Sequence, residues 1–501
     1  MSFRSLLDQS FILNASNNPK LLLAFSCLLA TLFISRFYNS PWRKLPPGPR
    51  GIPILGNILQ LQDKQWLTFT ELRKTYGDLV YLNVAGQPLI VVNSHKIAAD
   101  LLDRRAALYS DRPNNIVASD ILTGGLLIAL SHYTDTWRRL RKAAHEGFHK
   151  GVVHRYQPTQ FKEAVLLTSG VLSDPDSWEA HLRRTAASSI MSVVYATPPI
   201  LSEQEPSIKS INDFVARVTR AALPGAHLVE FFPWMVHIPA KLAKWKHDAQ
   251  ESFIKDSVMF EGLFKGVQRR MTQGEDKPSL SATLIQEADR HKLSDQENAW
   301  LAGTMYAAGA ETTSGIMVWL MLAMLIYPET QRRAQAELDA VVGRDRLPSF
   351  TDYEKLPYVR AMVKEALRWR PVAPVGVPHR STEDDWYEGN FIPAGSIIIA
   401  NVWYLNHDPR VYGADAHHFN PARHLDGNGQ LLPGPVDTKD EGHVTYGFGR
   451  RICVGRHIAN NSLFINIAAM LWAMNIGRPE DENGQPIPLD VDGCVHNGVV
   501  V

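Results

Sequence analysis

The sequence predicts a mainly α-helical protein with a small β-sheet region, an α+β fold, and the lengths of its apolar runs carry this prediction. One run begins after the capping box Ser294-Asp-Gln-Glu297 and ends before Pro328. It predicts a helix of about 33 residues, roughly 50 Å long and apolar nearly all round, as in a helix buried on every side. Shorter helices are predicted between Pro357 and Pro371 and over residues 458–472. Strand-like runs are few, at residues 79–84, 88–92 and 396–402.

The length and composition favour one large domain, predicted over residues 51–501. Of 501 residues, 45% are hydrophobic, and no repeat, low-complexity tract or Gly/Ser linker divides the chain. The 52 Lys and Arg residues balance 51 Asp and Glu residues to a net charge of +1, so no nucleic-acid partner is expected. Three cysteines form no disulfide framework and suit a reducing compartment: Cys27, Cys453 and Cys494.

The N-terminal segment has the pattern of a membrane anchor. Residues 21–38 are predicted to cross a membrane once, because residues 21–34 are apolar and uncharged. Residues 1–20 are then a short lumenal N-terminus, in which Asn14 is a candidate glycosylation acceptor. Residues 39–50 are a basic, proline-rich hinge that sets the direction in which the chain leaves the membrane.

The charges that flank this run predict its orientation. More basic residues follow the run than precede it: Arg36, Arg43, Lys44 and Arg50 against Arg4 and Lys20. The positive-inside rule therefore predicts a cytosolic main domain, and we expect the membrane to be the endoplasmic reticulum. A cleaved secretory signal is the alternative, although the run begins late and no Ala-x-Ala-like site follows it.

The segment Tyr446-Gly-Phe-Gly-Arg-Arg-Ile-Cys-Val-Gly-Arg456 surrounds a single thiol with glycines and arginines. A thiolate that binds haem iron in an apolar interior needs positive potential and backbone N–H donors near the sulfur. The glycines let the backbone approach a macrocycle closely, and the predicted helix that follows Cys453 favours a negative sulfur through its dipole. The alternative is that Cys453 is a small buried hydrophobe in a Gly-rich loop.

This segment resembles the signature of the cytochrome P450 family of haem-thiolate monooxygenases, Phe-x-x-Gly-x-Arg-x-Cys-x-Gly. The matching residues are Gly449, Arg451, Cys453 and Gly455, whereas Tyr446 replaces the phenylalanine. The resemblance implies that Cys453 is the axial ligand of haem b, and that the haem lies between the long central helix and the Cys453 loop. Arg451 would bind a haem propionate, and the hydroxyl of Tyr446 must find a hydrogen-bond partner.

Further motifs match the family in order along the chain. Glu365-Ala-Leu-Arg368 resembles its Glu-x-x-Arg motif, and with Arg423 these residues are candidates for a buried ionic triad. A solvated surface pair is the alternative. Trp137 and Arg141 match a Trp-x-x-x-Arg motif whose side chains bind a propionate, and His379 matches another propionate contact. The alternatives are a packed Trp137 beside a solvated Arg141, and a structural His379.

The long helix contains Ala308-Gly-Ala-Glu-Thr-Thr313, which matches the family's acid–alcohol pair. The resemblance implies that Glu311 and Thr312 deliver protons to iron-bound dioxygen. A mid-helix threonine that bonds its own helix carbonyl is the other interpretation of Thr312.

The resemblance implies an NADPH- and dioxygen-dependent monooxygenase of a lipophilic small molecule, similar to fungal enzymes of specialised metabolism. Electrons would come from a separate NADPH-cytochrome P450 reductase, because no flavin or nicotinamide fingerprint is present. Alternatives are a haem-binding protein without turnover, and a thiolate-haem isomerase or dehydratase that needs no reductase. A basic patch is the candidate docking surface, unless it is an ordinary solvated face: Arg138, Arg139, Lys142, Arg450 and Arg456.

Three segments are expected to line the substrate pocket, at residues 114–130, 305–308 and 372–377. Residues 228–239 are apolar and interrupted by prolines, and in this family the corresponding region often dips into the bilayer. The chain departs from the family at residues 498–501, where relatives usually continue through further strand residues. The C-terminal hairpin is therefore expected to be incomplete, or the chain truncated.

Overall fold

A computed structural model describes residues 19–61, 64–202, 205–223, 225–275 and 277–489. The candidate glycosylation site Asn14, the third cysteine Cys494 and the departure expected at residues 498–501 lie outside these ranges. The described residues are mostly helical, with a small sheet region, as the sequence predicts.

The α-helices follow one another along the described part of the chain. In order they are α1 Pro19–Tyr38, α2 Gln65–Tyr76, α3 His95–Ala98, α4 Ala106–Tyr109, α5 Asp135–Phe148, α6 Gln157–Ser173, α7 Trp178–Tyr195, α8 Pro206–Ala222, α9 Lys244–Thr272, α10 Leu280–Gln286, α11 Ala288–His291, α12 Asp295–Ile326, α13 Pro328–Val341, α14 Pro357–Trp369, α15 Val402–Asn406, α16 Pro409–Tyr412 and α17 Arg456–Ala473.

The strands form one sheet of four and one hairpin in the described ranges. They are β1 Leu79–Val84, β2 Gln87–Val92, β3 His379–Arg380, β4 Asp385–Tyr387, β5 Asn390–Ile392 and β6 Ile397–Ala400. The larger sheet has the order β1-β2-β6-β3, in which β2 and β6 run parallel and the other neighbours antiparallel. Strands β4 and β5 pair antiparallel through a turn at Glu388 and Gly389, both with positive φ.

Strand β6 is shorter than the strand that the sequence predicts. A strand was predicted to continue to residue 402, but β6 ends at Ala400 and α15 begins at Val402. The cause is a helix cap, since the side chain of Asn401 accepts a hydrogen bond from the backbone N–H of Tyr404. The short strands β3, β4 and β5 were not predicted.

Helix α12 is the long central helix that the sequence predicts. Its capping box is formed: the Ser294 hydroxyl accepts from Glu297 N–H at 3.1 Å, and the Glu297 carboxylate accepts from Ser294 N–H at 2.7 Å. Its first half packs in an aromatic cluster in which Trp300 contacts Phe214, Phe253 and Phe260. The helix thereby crosses the core and carries its central residues to the middle of the protein.

Helix α1 differs from α12 in that its described side chains are exposed along its length. Both helices are long and apolar enough to span a membrane, but α12 is substantially buried within the protein, whereas the N-terminal segment is not. Helix α1 ends at Tyr38. Helix α1 is therefore the candidate membrane anchor of the protein.

Candidate functional site

The Cys453 loop is held by close contacts, one of which requires a glycine. Gly449 has φ +56°, and a Cβ atom there would lie 2.1 Å from the carbonyl oxygen of Leu102. The N–H of Cys453 donates to the carbonyl of Tyr446 at 2.8 Å, which closes the loop. The Tyr446 hydroxyl donates to Asn460 Oδ1 at 2.6 Å, so the residue that departs from the expected phenylalanine has the partner it needs.

Cys453 is accessible to solvent although protein surrounds its thiol. Its neighbours Arg451 and Val454 are buried, whereas Cys453 is exposed. Burial raises the pKa of the thiol, and the N–H of Gly455, Arg141 and Arg456 oppose that rise. Because Cys453 is both accessible and surrounded by protein, it faces an opening inside the protein. Helix α17 begins three residues later, at Arg456.

Two arginines from different segments converge beside this loop and bond to carbonyl groups. Arg451 donates to the carbonyls of Ser110, Ile128 and Ser131 at 2.8–2.9 Å, and its guanidinium lies 4.0 Å from the ring centre of Trp137. Arg141 donates to the carbonyl of Ile452, next to Cys453. Because Trp137 and Arg141 are one turn apart on α5, that helix brings both to the Cys453 loop.

A third arginine, Arg112, joins this group, and the sequence analysis missed it. Its guanidinium is buried and donates to the carbonyls of Ala129, Val377 and Pro378 at 2.7–2.8 Å. His379 lies beside it, with Nδ1 2.7 Å from the carbonyl of Tyr109. The only local sign of Arg112 in the sequence is a charged Asp-Arg pair before a proline, which is too common a pattern to identify a buried cation.

Arg112, Arg141 and Arg451 form what we call the arginine cluster, and it carries more positive than negative charge. Burial lowers the pKa of Arg451 to about 9 and of Arg141 to about 10. The pKa of Arg112 is also lowered, first by burial and then by the other two arginines. Asp111 is the carboxylate that acts on Arg112 and Arg451. The arginine cluster therefore fits a ligand that brings further carboxylates.

The centre of α12 carries the predicted acid–alcohol pair. The hydroxyl of Thr312 donates to the carbonyl of Ala308 at 2.7 Å, which is the helix back-bond considered as the alternative for this residue. Ala308 is exposed although Met305, Tyr306 and Ala310 around it are buried, so this face of the helix borders an opening. Burial raises the pKa of the Glu311 carboxyl, and Arg183 opposes that rise.

The chain matches the model of a known protein family along most of its length. The family model described as Cytochrome P450 matches residues 46–490. The chain is a cytochrome P450. A cytochrome P450 monooxygenase of Armillaria gallica, ARMGADRAFT_1018420, is 72% identical over 465 residues, 93% of this chain and 89% of the relative.

Two more distant relatives also match along most of their length. Cytochrome P450 monooxygenase 58 of Postia placenta is 48% identical over 492 residues, 98% of this chain and 93% of the relative. Cytochrome P450 monooxygenase iboC of Amanita muscaria is 46% identical over 489 residues, 89% of this chain and 86% of the relative. All three relatives are fungal monooxygenases, and like them this cytochrome P450 is an oxidoreductase.

A second cluster of charges joins α14 to the segment before the Cys453 loop. Both Glu365 and Arg368 are fully buried, with the closest pair of atoms 2.7 Å apart, and Arg423 Nε lies 3.0 Å from Glu365 Oε1. His424 Nε2 lies 2.9 Å from Glu365 Oε2, so the expected triad is a tetrad. His424 was not predicted, because its position next to Arg423 in the sequence does not indicate that both residues contact Glu365.

The carboxylate of Glu230 joins two segments that are distant in sequence. Glu230 accepts the N–H groups of Ile116 and Val117 at 2.8 and 3.0 Å, a contact we call the Glu230 clasp. It holds the start of the short helical segment Ile116–Ile121, within the predicted pocket lining, to the apolar residues 228–239. Surface cavities of about 520 and 430 Å³ open next to this segment, and both include Asp120, Gly124 and Phe253.

Proposed function

We propose that this cytochrome P450 uses NADPH and dioxygen to insert one oxygen atom into a lipophilic small molecule. The observation that carries the proposal is the arginine cluster beside the Cys453 loop, an excess of buried positive charge next to an accessible thiol. Haem b supplies both missing elements, because it has two propionates and an iron that binds thiolate.

The described residues fit haem b as follows. Cys453 would supply the thiolate that binds the haem iron, and the positive groups around it would favour the ionised thiol. Arg112, Arg141 and Arg451 would hold the propionates, together with Trp137 and His379. Carboxylates are stronger acceptors for a guanidinium than the backbone carbonyls these arginines now contact. When bound, haem b would supply the activation of dioxygen.

Glu311 and Thr312 would supply the protons. Burial keeps the Glu311 carboxyl protonated to a higher pH than a solvated glutamate, so it can release a proton and recover it. The hydroxyl of Thr312, fixed by its bond to Ala308, can accept a hydrogen bond and hold water or dioxygen in place. A haem carrier without turnover needs neither group, which favours the monooxygenase over that alternative.

An external NADPH-cytochrome P450 reductase would dock on basic residues around the Cys453 loop. Arg138, Lys142 and Arg450 are exposed there, and Arg456 lies 3.2 Å from the carbonyl of Cys453. Arg139 is less suited than the sequence suggested, because it is partly buried and pairs with Glu297 at 3.1 Å. The patch therefore consists of the other four residues.

The exposed helix α1 supports a single-pass anchor in the endoplasmic reticulum with the haem domain in the cytosol. The apolar segment at residues 228–239 would give a second contact, because its large side chains point outward: Leu228, Phe231, Phe232 and Trp234. A lipophilic substrate would then reach the protein from the membrane. The fungal source of the named relatives supports a role in specialised metabolism.

The ligand assignment is tested by the spectrum of reduced protein with carbon monoxide. We expect the red-shifted Soret band of thiolate-ligated haem in the parent and in the control Cys27→Ala, and its loss in Cys453→Ala. A parent band in Cys453→Ala would overturn the assignment.

Turnover is tested with the Thr312→Ala and Glu311→Gln variants. General acid–base assistance is typically worth ~10²–10⁴-fold, and we expect the low end for Thr312 because water replaces part of its hydroxyl. Product formed per NADPH should fall in Thr312→Ala while the thiolate spectrum persists, and Glu311→Gln should be slower still. Turnover without NADPH and reductase would instead identify an isomerase or dehydratase.

A further inference from the structure

The larger of the two surface cavities near the segment Ile116–Ile121 takes no part in the proposed function. Its volume is about 520 Å³, and it lies where the loop after this segment meets the start of α5 and the start of α12. The described residues of its wall include neither Cys453 nor Ala308, so it is separate from the opening that Cys453 faces. A cavity of this size accommodates a small organic molecule. We call it the Asp120 cavity.

The charged side chains in the wall of the Asp120 cavity leave one negative charge without a partner. Glu297 pairs with Arg139 at 3.1 Å, and His132 Nδ1 lies 3.1 Å from Asp111 Oδ1. Asp120, in contrast, is exposed and forms no ion pair with any residue that the structure describes. Burial raises the pKa of its carboxyl, an unfavourable effect that a bound cation would offset. The cavity is therefore suited to a cation.

A buried hydroxyl in the same wall is left without a hydrogen bond. Ser131 is only 4% exposed, and its Oγ has no hydrogen-bond partner within the ranges that the structure describes. Buried polar groups in folded proteins are nearly always bonded, because an unbonded one loses its water without compensation. Since Ser131 borders the Asp120 cavity, a hydroxyl or another polar group of a ligand is the partner that this side chain needs.

The ring of Phe253 on α9 gives the Asp120 cavity an aromatic surface. Trp300 stacks on this ring with the two ring centres 5.3 Å apart, which fixes its orientation. Gly124 lies against the ring at φ +56°, and a Cβ atom there would be 2.6 Å from Phe253 Cε2. An aromatic face attracts organic cations, and a quaternary ammonium group is the usual case. The carboxylate of Asp120 and this ring together favour an organic ammonium ion over an inorganic cation, which needs several oxygen ligands.

We propose that the Asp120 cavity binds a small organic ammonium ion that also carries a hydroxyl group. Asp120 and the ring of Phe253 hold the ammonium group, and Ser131 Oγ forms a hydrogen bond with the hydroxyl of the ligand. Because the cavity is separate from the opening that Cys453 faces, the ligand is an effector and not the molecule that is oxidised.

Binding of this ligand strengthens the Glu230 clasp. Burial raises the pKa of the Glu230 carboxyl, and Asp120 adds to that rise because two negative charges repel each other. A cation beside Asp120 offsets the repulsion, so Glu230 stays ionised and accepts the N–H groups of Ile116 and Val117 more strongly. The effector thereby orders a segment that belongs to the predicted lining of the substrate pocket.

The test uses the full chain, loaded with haem, and choline as the probe. Choline carries a hydroxyl and a quaternary ammonium group that cannot bind iron, and its neutral analogue has carbon in place of the nitrogen atom. We expect calorimetry to detect choline binding to the parent, and the neutral analogue to bind about tenfold more weakly. Asp120→Asn should weaken choline binding by a similar factor. Asp295→Asn is the matched control, because Asp295 is an exposed acid in the first turn of α12 outside the cavity wall.

Absence of choline binding to the parent, or equal affinities of the parent and Asp120→Asn for choline, would overturn the proposal. Ser131→Ala should weaken the binding of both probes by the same factor, because both carry the hydroxyl. Imidazole that saturates the iron should leave choline binding unchanged. Loss of choline binding under that condition would show that choline occupies the haem site, and it would overturn the separate cavity.

The effect on the Glu230 clasp is tested by hydrogen exchange at the amides of Ile116 and Val117. Choline should slow this exchange in the parent but not in Asp120→Asn. Unchanged exchange in the parent with choline bound would overturn the effector role. The carbon monoxide spectrum of the same samples reports separately on the Cys453 assignment, so its failure is distinguishable from failure at the Asp120 cavity.

Discussion

Tyr446 shows how a single departure from a family pattern is accommodated. Its hydroxyl is buried, and burial raises its pKa far above the usual value, so it stays protonated and acts as a donor. Asn460 accepts that hydrogen bond and itself donates to Glu441 at 3.2 Å. The added hydroxyl thus joins the Cys453 loop to the helix that follows it.

Replacing Tyr446 by phenylalanine should lower the free energy of unfolding by about 0.5–1.5 kcal/mol, because Asn460 loses its donor. The thiolate spectrum should remain, since the ring is unchanged. Urea unfolding measures the loss, and a double-mutant cycle with Asn460→Ala isolates the pair. Additive effects in that cycle would show that the hydrogen bond contributes nothing.

Arg112 belongs to none of the sequence motifs, but we expect it to help the protein retain haem. Arg112→Met removes a cation from the arginine cluster, so the haem content per protein should fall, as measured by absorbance. Arg112→Lys keeps the charge with fewer donors and should retain more haem. The exposed Arg138→Met is the control, and a haem content as high in Arg112→Met as in this control would contradict a propionate role.

At the scale of elements, the tetrad joins α14 to residues 423–424 through one buried carboxylate. Burial alone would raise the pKa of Glu365, but Arg368 and His424 bring it far below its usual value, so the carboxyl stays ionised. Arg368 also donates to the carbonyls of Asn406, Ala416 and His418. The tetrad therefore determines how the segment before the Cys453 loop is placed.

Glu365→Ala should destabilise the protein by about 3–5 kcal/mol, because it leaves buried arginines without their counter-ion. Glu354→Ala is a matched control: Glu354 pairs with Arg360 at 2.5 Å, but its side chain is 79% exposed. Such a surface pair is worth roughly 0–1 kcal/mol. Equal shifts in the urea midpoints of the two variants would contradict the buried role of Glu365.

The Glu230 clasp should control the mobility of the segment Ile116–Ile121. Glu230→Ala removes both acceptors, so hydrogen exchange at the amides of Ile116 and Val117 should accelerate. Glu230→Gln keeps one acceptor and should have a smaller effect. The surface variant Glu261→Gln, on α9, should leave these amides unchanged, and equal protection in Glu230→Ala would show that other contacts hold the segment.

At the scale of the whole molecule, buried histidines should make the protein sensitive to mild acid. Burial lowers the pKa of His407 to about 3, and it lowers the pKa of His443 as well. In the unfolded chain both titrate near about 6.5. Their stabilisation is therefore present above that pH and is lost as the pH falls, because only the unfolded chain binds the protons.

We therefore expect the melting temperature to fall between pH 7 and pH 5, and His407→Gln to reduce this fall. His132 provides a contrast, because its hydrogen bond to Asp111 raises its pKa. The stabilisation from His132 is complete below about 6.5 and is lost as the pH rises through its folded pKa. His132→Gln should consequently steepen the fall on acidification, and a profile parallel to that of the parent would contradict this role of His132. A melting temperature of the parent that is independent of pH would contradict the expected fall.

The sequence by itself determined the features that depend on neighbouring residues. The bounds of α12 follow from the capping box at its start and from Pro328 just past its last residue, Ile326. The backbone of the Cys453 loop follows from positive φ angles at Gly447 and Gly449, which glycine adopts without strain. The exposed helix α1 follows from an unbroken apolar run. Each of these depends on hydrogen bonds, sterics or hydropathy within about one helix length.

The tertiary structure alone decided the features that join distant parts of the chain. Arg112 meets the carbonyl of Val377, Glu230 meets the N–H of Ile116, and Trp42 meets Phe391 across segments whose sequences show no mutual signal. The physical reason is that a buried polar or aromatic group needs a partner, but many partners satisfy that need equally well. Which one it finds is decided only when the helices and the sheet pack together.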